Sequence, residues 1–146
     1  MDLVDEAVFM RSTIESAIVE LACKTATEEQ LLLLEENINL QEFYKEKGNL
    51  DKLMQLDNSF HKMLYIITNK VQCYRMVKTI NIHYDRFREL RLHTSDTLPI
   101  ITEHIAILNA IKEQDSSKAC KLIKEHLGHL YVDEREIRTK YPEYFK

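Results

Sequence analysis

The sequence predicts an all-α fold, an antiparallel helical bundle, on three observations. The 146 residues include only two Gly and two Pro, well below average usage of about 7% and 5%, so turns are few and regular elements long. Ala, Leu, Glu, Lys and Ile dominate, and no stretch alternates apolar and polar residues long enough for a sheet. Apolar residues recur instead at three- and four-residue steps between short breaks, the pattern of long helices turning back on one another. With 45% hydrophobic residues, the chain can build one core and is too short to argue for two, so residues 1–146 are expected to form a single domain.

The first helix runs from about Asp2 to Lys24, with Val4, Val8, Ile14, Ile18 and Leu21 as its stripe. Thr25 to Thr27 make the break, and Thr27 with Gln30 reads as a capping box opening a second helix that ends near Gly48. A third helix starts beside Asn49 and carries Leu50, Leu53, Met54, Phe60, Leu64 and Ile67. After a break at Thr68 and Asn69, a long fourth helix is expected to reach about His93, followed by a loop through Asp96. Pro99 is tolerated only in a first turn, so the fifth helix begins close to it. Asp115 is a plausible N-cap for the sixth, which ends before Pro142 and leaves a polar, aromatic tail to Lys146 with no assigned purpose.

A net charge of −4 argues against this segment gripping nucleic acid by itself, since phosphate contact needs a basic face. Arg86, Arg88 and Arg91 cluster, but Asp85 and Glu89 are interleaved, as on a solvated helix face. No apolar run approaches the roughly 20 residues a membrane span needs, and the N-terminus opens with Asp2, Asp5 and Glu6, so a cytoplasmic protein without membrane attachment is expected. Cys23, Cys73 and Cys120 are too widely spaced for a disulfide framework and read as free thiols.

Four polar residues stand where helical spacing calls for core residues. On the third helix the stripe 50, 54, 57, 61, 64 passes through Asp57 and His61, an i, i+4 pair about 5 to 6 Å apart that can reach one ion. On the fifth helix the stripe Ile100, His104, Leu108, Ile111 holds an inward His, and on the sixth Ala119, Ile123, His126, Leu130 holds another. A lone inward His is usually a core residue hydrogen-bonded to a carbonyl. Four such groups on three helices are costly to bury unpaired, and a shared divalent metal resolves the cost. Three imidazoles and a carboxylate suit Zn first, and also Ni, Mn or Fe. Arg11 interrupts the first helix's stripe at 4, 7, 11, 14, 18, 21. On its own it reads as a buried ion pair with a nearby acid, or as a side chain that snorkels; beside a metal pocket it becomes a candidate carboxylate clamp.

These residues resemble a family. Asp57-x-x-Phe60-His61, Asn69 after a short apolar run, Glu103-His104-x-x-Ile107-Leu108-x-Ala110-Ile111 with Asp115 and Ala119, and His126-Leu127 are similar to the FCD ligand-binding domain of the FadR subfamily of GntR transcription regulators. Arg11-x-x-Ile14-Glu15 with Ala22 matches the family's first-helix pattern. The resemblance spans about Met10 to Leu130. It implies a bundle of six or seven helices with a central pocket, a divalent metal on Asp57, His61, His104 and His126, and a small carboxylate effector beside it. It also implies a homodimer, and it gives Arg11 and Arg88 to the effector, Arg86 or Arg91 being alternatives to Arg88 because helix phase there is ambiguous. The family's winged helix-turn-helix domain does not precede Met1, so the expectation is an effector domain excised from a longer regulator rather than a free-standing relative. DNA is then contacted only through that other domain, under allosteric control by the effector.

Three other readings compete. A metal-dependent helical hydrolase would need a base beside the ion, but Glu103 and Glu125 each adjoin a ligand His and point about 100° away from it, and no His-Glu-x-x-His, Gly-rich phosphate loop or Gly-x-Ser-x-Gly elbow occurs. A free-standing metal- or carboxylate-binding protein, or a structural bundle with buried His networks, completes the set. His129, one turn beyond His126, reads as an exposed or supporting imidazole, and His83 and His93 receive no role.

Overall fold

A computed structural model describes residues 2–82, 85–86, 88–90 and 98–145, with side chains described over 5–82, 85–86, 88–90, 99–129 and 138–143. Among these residues there is no strand. The helices are α1 (Asp2–Thr25), α2 (Glu28–Glu46), α3 (Leu50–Ile67), α4 (Val71–Ile80), α5 (Leu98–Lys112) and α6 (Ser116–Lys140), and a 3-10 turn (Pro142–Phe145) follows α6. No described helix is long and apolar enough to cross a membrane.

Helix starts follow the side chains that cap them. Thr27 accepts from the Gln30 amide and Gln30 accepts from the Thr27 amide, the reciprocal capping box that opens α2. Asn49 caps α3 through the Lys52 amide at 3.1 Å, and Asp115 caps α6 through the Lys118 amide at 3.1 Å. Three helices end in one Schellman pattern. Gly48 at φ 67° closes α2, with the Asn49 amide donating to the Tyr44 carbonyl. Asn69 (φ 59°) does the same for α3 through Lys70 to Tyr65, and Gln114 (φ 58°) for α5 through Asp115 to Ala110. A glycine-poor chain thus places an amide side chain in the left-handed region twice. Gln114 uses its side chain besides, donating to the Cys23 carbonyl at 3.1 Å and tying the α5–α6 corner to α1.

One predicted element is corrected. The fourth helix does not run unbroken toward His93: α4 stops at Ile80, and Asn81 sits at the break with φ −89° and ψ 9°. Helix resumes at once, because the Asp85 amide donates to the Asn81 carbonyl at 2.8 Å. Periodicity carries through such a break because it inserts no residue, so spacing alone does not register it. The far end of that helix, the predicted loop from His93 to Asp96, Arg91 and His83 lie outside the described residues.

α1 packs along α6, α2 along α3, and α5 bridges α1, α2 and α6. The core is filled by Val19, Leu34, Phe60, Leu64, Ile107, Ile111, Ile123 and Leu127. On α1 the buried face runs through Ala7, Val8, Arg11, Glu15, Ile18, Val19 and Ala22, while Ile14 and Leu21 are only half-buried, a small rotation from the predicted stripe. On α5 the stripe Ile100, His104, Leu108, Ile111 is buried throughout, as are Ala119, Ile123 and His126 on α6; the Leu130 side chain lies outside the described ones. Cys23 is buried, Cys73 and Cys120 are half-buried, and all three are free.

Candidate metal centre and adjoining cleft

α3, α5 and α6 aim Asp57, His61, His104 and His126 at one point. All four are buried, and one ligand atom from each lies within 4.8 Å of the others. His61 Nε2 is 3.2 Å from His126 Nε2, and Asp57 Oδ1 is 3.3 Å from both His61 Nε2 and His104 Nε2. Donors about 2.0–2.2 Å from a shared tetrahedral ion lie roughly 3.3–3.6 Å apart, so these separations have the scale of a coordination shell.

The ring nitrogens facing away from that point decide what faces it. His61 Nδ1 lies 2.5 Å from Glu15 Oε1, His104 Nδ1 2.8 Å from Gln41 Oε1, and His126 Nδ1 3.3 Å from Glu103 Oε2. Each outer partner is an acceptor, so each outer nitrogen carries a proton and each Nε2 turns inward. For His104 the assignment is anchored on the backbone. The Leu56 carbonyl can only accept, so Asn37 gives it Nδ2 (3.1 Å); Asn37 Oδ1 then accepts from Gln41 Nε2 (2.6 Å), and Gln41 Oε1 is left for His104. Inside the cluster, Asp57 Oδ1 and His104 Nε2 are buried without a hydrogen-bond donor. Three Nε2 atoms and a carboxylate oxygen converging at a buried point fit a cation.

Electrostatics point the same way. Burial lowers the basicity of His104 and pushes His126 down to about 3, keeping both rings neutral. Burial works to raise Asp57, but Arg88, whose Nη2 donates to Asp57 Oδ2 at 2.6 Å, together with His104 and His61 outweighs it, and the carboxyl is held well below the usual range. Glu15 behaves alike: burial opposes ionisation, and Arg11 and His61 overcome it. Tyr65, whose phenol burial keeps protonated, donates to Glu15 Oε2 at 3.3 Å.

Beside His61 lies a small cleft, with a cavity volume of about 10 Å³ and about 250 Å³ of empty space when the open solvent at its mouth is counted. Arg11, Arg88, Lys78, Asn58, Asn81 and Tyr74 line it. Arg11 is paired with Glu15 at 2.5 Å, the buried ion pair that its place on the stripe predicts. Arg88 is buried and Arg86 exposed, so the geometry turns Arg88 to the cleft. Arg88 Nη1 donates to Asn58 Oδ1 (2.8 Å) and to Asp85 Oδ1 (3.0 Å), and Lys78 reaches Asp85 Oδ2 at 3.0 Å. The three cations Arg11, Lys78 and Arg88 are thus matched by the three carboxylates Glu15, Asp57 and Asp85.

Glu103 contacts the outer nitrogen of His126, away from the cluster, and pairs with the exposed His129 at 2.8 Å. Sequence reasoning missed the supporting roles of Gln41, Asn37 and Glu103, and gave Glu15 none. The signal for Gln41 and Asn37 was present: both sit on the buried face of α2 with Leu34 and Ile38, amides at core spacing.

The fold and this site define a class, a helical domain with a buried histidine–carboxylate cluster beside a polar cleft. Residues 6–129 match the FCD domain family, and the chain belongs to that family, the effector-binding domain of GntR-type transcription regulators. Over 138 residues it is 27% identical to the HTH-type transcriptional repressor RspR of Escherichia coli K12, covering 94% of this chain and 60% of that protein. An uncharacterized HTH-type regulator of Bacillus subtilis, YdhC, is 27% identical over 130 residues, which are 86% of this chain and 57% of the relative. The chain therefore spans about 60% of the length of such relatives. Among solved structures, E. coli McbR/YncC superposes with a TM-score of 0.75 over 89% of this chain and 65% of its own, at 18% identity, a likeness of fold.

Proposed function

We propose that this chain is the sensor part of a GntR-type transcription regulator, holding one divalent metal through Asp57, His61, His104 and His126 and taking a small organic acid in the cleft beside it. The observation that carries this reading is the set of outer hydrogen bonds to Glu15, Gln41 and Glu103, which leaves three Nε2 lone pairs converging with Asp57 Oδ1. Zn suits the three-imidazole, one-carboxylate set first, with Ni, Mn or Fe also compatible. When bound, the ion would supply two positive charges, and expansion beyond four ligands would let it accept an anionic oxygen as well.

The cleft's own charges balance, so the added ion would make it net cationic and selective for an anion. Arg11 and Arg88 are the clamps in this reading, both being planar donors suited to carboxylates. An incoming carboxylate would compete with Glu15 for Arg11 and with Asp85 for Arg88. It would thereby favour one arrangement of α1 and residues 85–90 over another, and a ligand shifts an equilibrium only through such differential contacts. In the parent protein, a cytoplasmic homodimer in this proposal, that shift would change how two winged-helix domains meet DNA. The regulator character of the relatives favours sensing over catalysis.

Isothermal titration of the metal-loaded chain with a panel of organic acids tests the proposal. Saturable binding that weakens at least tenfold in Arg88→Ala, with metal content kept, is the expected result. Equal binding by Arg11→Ala and Arg88→Ala would remove the clamp role from both.

A further inference from the structure

Asn81 occupies the break between α4 and the helical residues that carry Asp85 and Arg88. It is 2% exposed and lines the cleft, and its Oδ1 is buried without a hydrogen-bond partner. The other buried or half-buried side-chain amides around the centre are in use: Asn37 and Gln41 relay to the Leu56 carbonyl, and Asn58 accepts from Arg88. A buried amide oxygen left idle is costly, and one facing a ligand cleft is where a ligand's polar group belongs.

The neighbours of Asn81 restrict that group. Lys78 and Arg88 flank the position and are tied to Asp85, so an ammonium there meets cations, while a second carboxylate meets Asp85 and an amide that offers no charge to balance it. A hydroxyl both donates and accepts, so it satisfies a carboxamide whichever way the amide is turned.

We propose that Asn81 reads a hydroxyl on the effector, so that the site selects hydroxycarboxylates over the matching acids that lack the hydroxyl. This rests on the reading of the cleft as a carboxylate site. A polar site built for a hydroxyl rejects an analogue without it because its own group is then left unmade, whereas a merely roomy apolar site does not discriminate strongly.

The experiment is calorimetric titration of the zinc-loaded chain with two matched pairs, lactate against propionate and malate against succinate. In the wild type the hydroxy acid of at least one pair is expected to bind about tenfold or more tightly than its partner. In Asn81→Ala that ratio falls to about one, through weaker binding of the hydroxy acid and unchanged binding of its partner. Asn81→Leu, close in volume, should abolish the preference equally while keeping helix content and a melting temperature no lower than the wild type's, because it removes an unsatisfied buried group. A wild type indifferent to the hydroxyl in both pairs, or an Asn81→Ala that keeps the preference, overturns the role of Asn81 and leaves the carboxylate site standing. Failure of all four acids to bind overturns the carboxylate site and Asn81's role together.

Discussion

On the α2 side of the histidine cluster, polar atoms are matched in sequence from His104 through Gln41 and Asn37 to a backbone carbonyl, all of them buried. On the opposite side, toward α4, Arg88 divides its donors among Asp57, Asn58 and Asp85, Lys78 shares Asp85, and Asn81 has an idle oxygen. The first side has a single consistent arrangement, fixed by the direction of each amide. The second is balanced in charge yet redundant in partners, so its pairs can be exchanged for those of a ligand. One buried cluster is thus held rigidly from behind and left adjustable in front, as the proposed coupling of an ion to an exchangeable anion would require.

Breaking the core beneath both sides should have the largest effect. Leu64 is fully buried, and Leu64→Ala is expected to cost about 3 kcal/mol in a metal-free denaturant titration. His104→Ala, also fully buried, should cost less under the same metal-free conditions, because a polar group with an idle nitrogen leaves along with the volume. A larger loss for His104→Ala than for Leu64→Ala would mean that the cluster stabilises the fold without an ion.

Next in size is the rear side. Gln41→Ala frees His104 Nδ1 from its anchor while leaving the cleft untouched. Metal affinity, read by chelator competition, is expected to fall about 10- to 100-fold, as for other partners that orient a ligand histidine. Arg88→Ala acts on the front side and should reverse the pattern, lowering acid affinity at least tenfold while metal content stays near one per chain. If Gln41→Ala and Arg88→Ala give the same profile, the division into two sides is wrong.

The smallest effect is expected at the rim. His129 is exposed and reaches the cluster through Glu103, so His129→Ala should change metal affinity by less than about threefold, since exposed pairs contribute little. The same chelator competition reads it.

Much of this molecule is legible in its residues. The caps at Thr27, Asn49 and Asp115 mark helix starts, because local hydrogen bonds are encoded within three residues. Asp57, His61, His104 and His126 announce themselves by breaking apolar stripes, and their convergence follows once three helices face one core. The break at Asn81 is not legible, since helix resumes at once beyond it. Nor does the sequence choose among Arg86, Arg88 and Arg91; of the two described, Arg88 is buried and Arg86 exposed. The supporting amides are harder still, because Gln41 and Asn37 act through the direction in which each amide turns, and that is set by a carbonyl on another helix.

If the converging ring nitrogens hold an ion, as proposed, metal content will show it most directly. Elemental analysis of the purified chain should find close to one equivalent of a divalent transition metal, Zn foremost, and His104→Ala should lose most of it. A wild-type chain that retains no metal after equilibration with Zn, or a His104→Ala chain with undiminished content, would contradict the account.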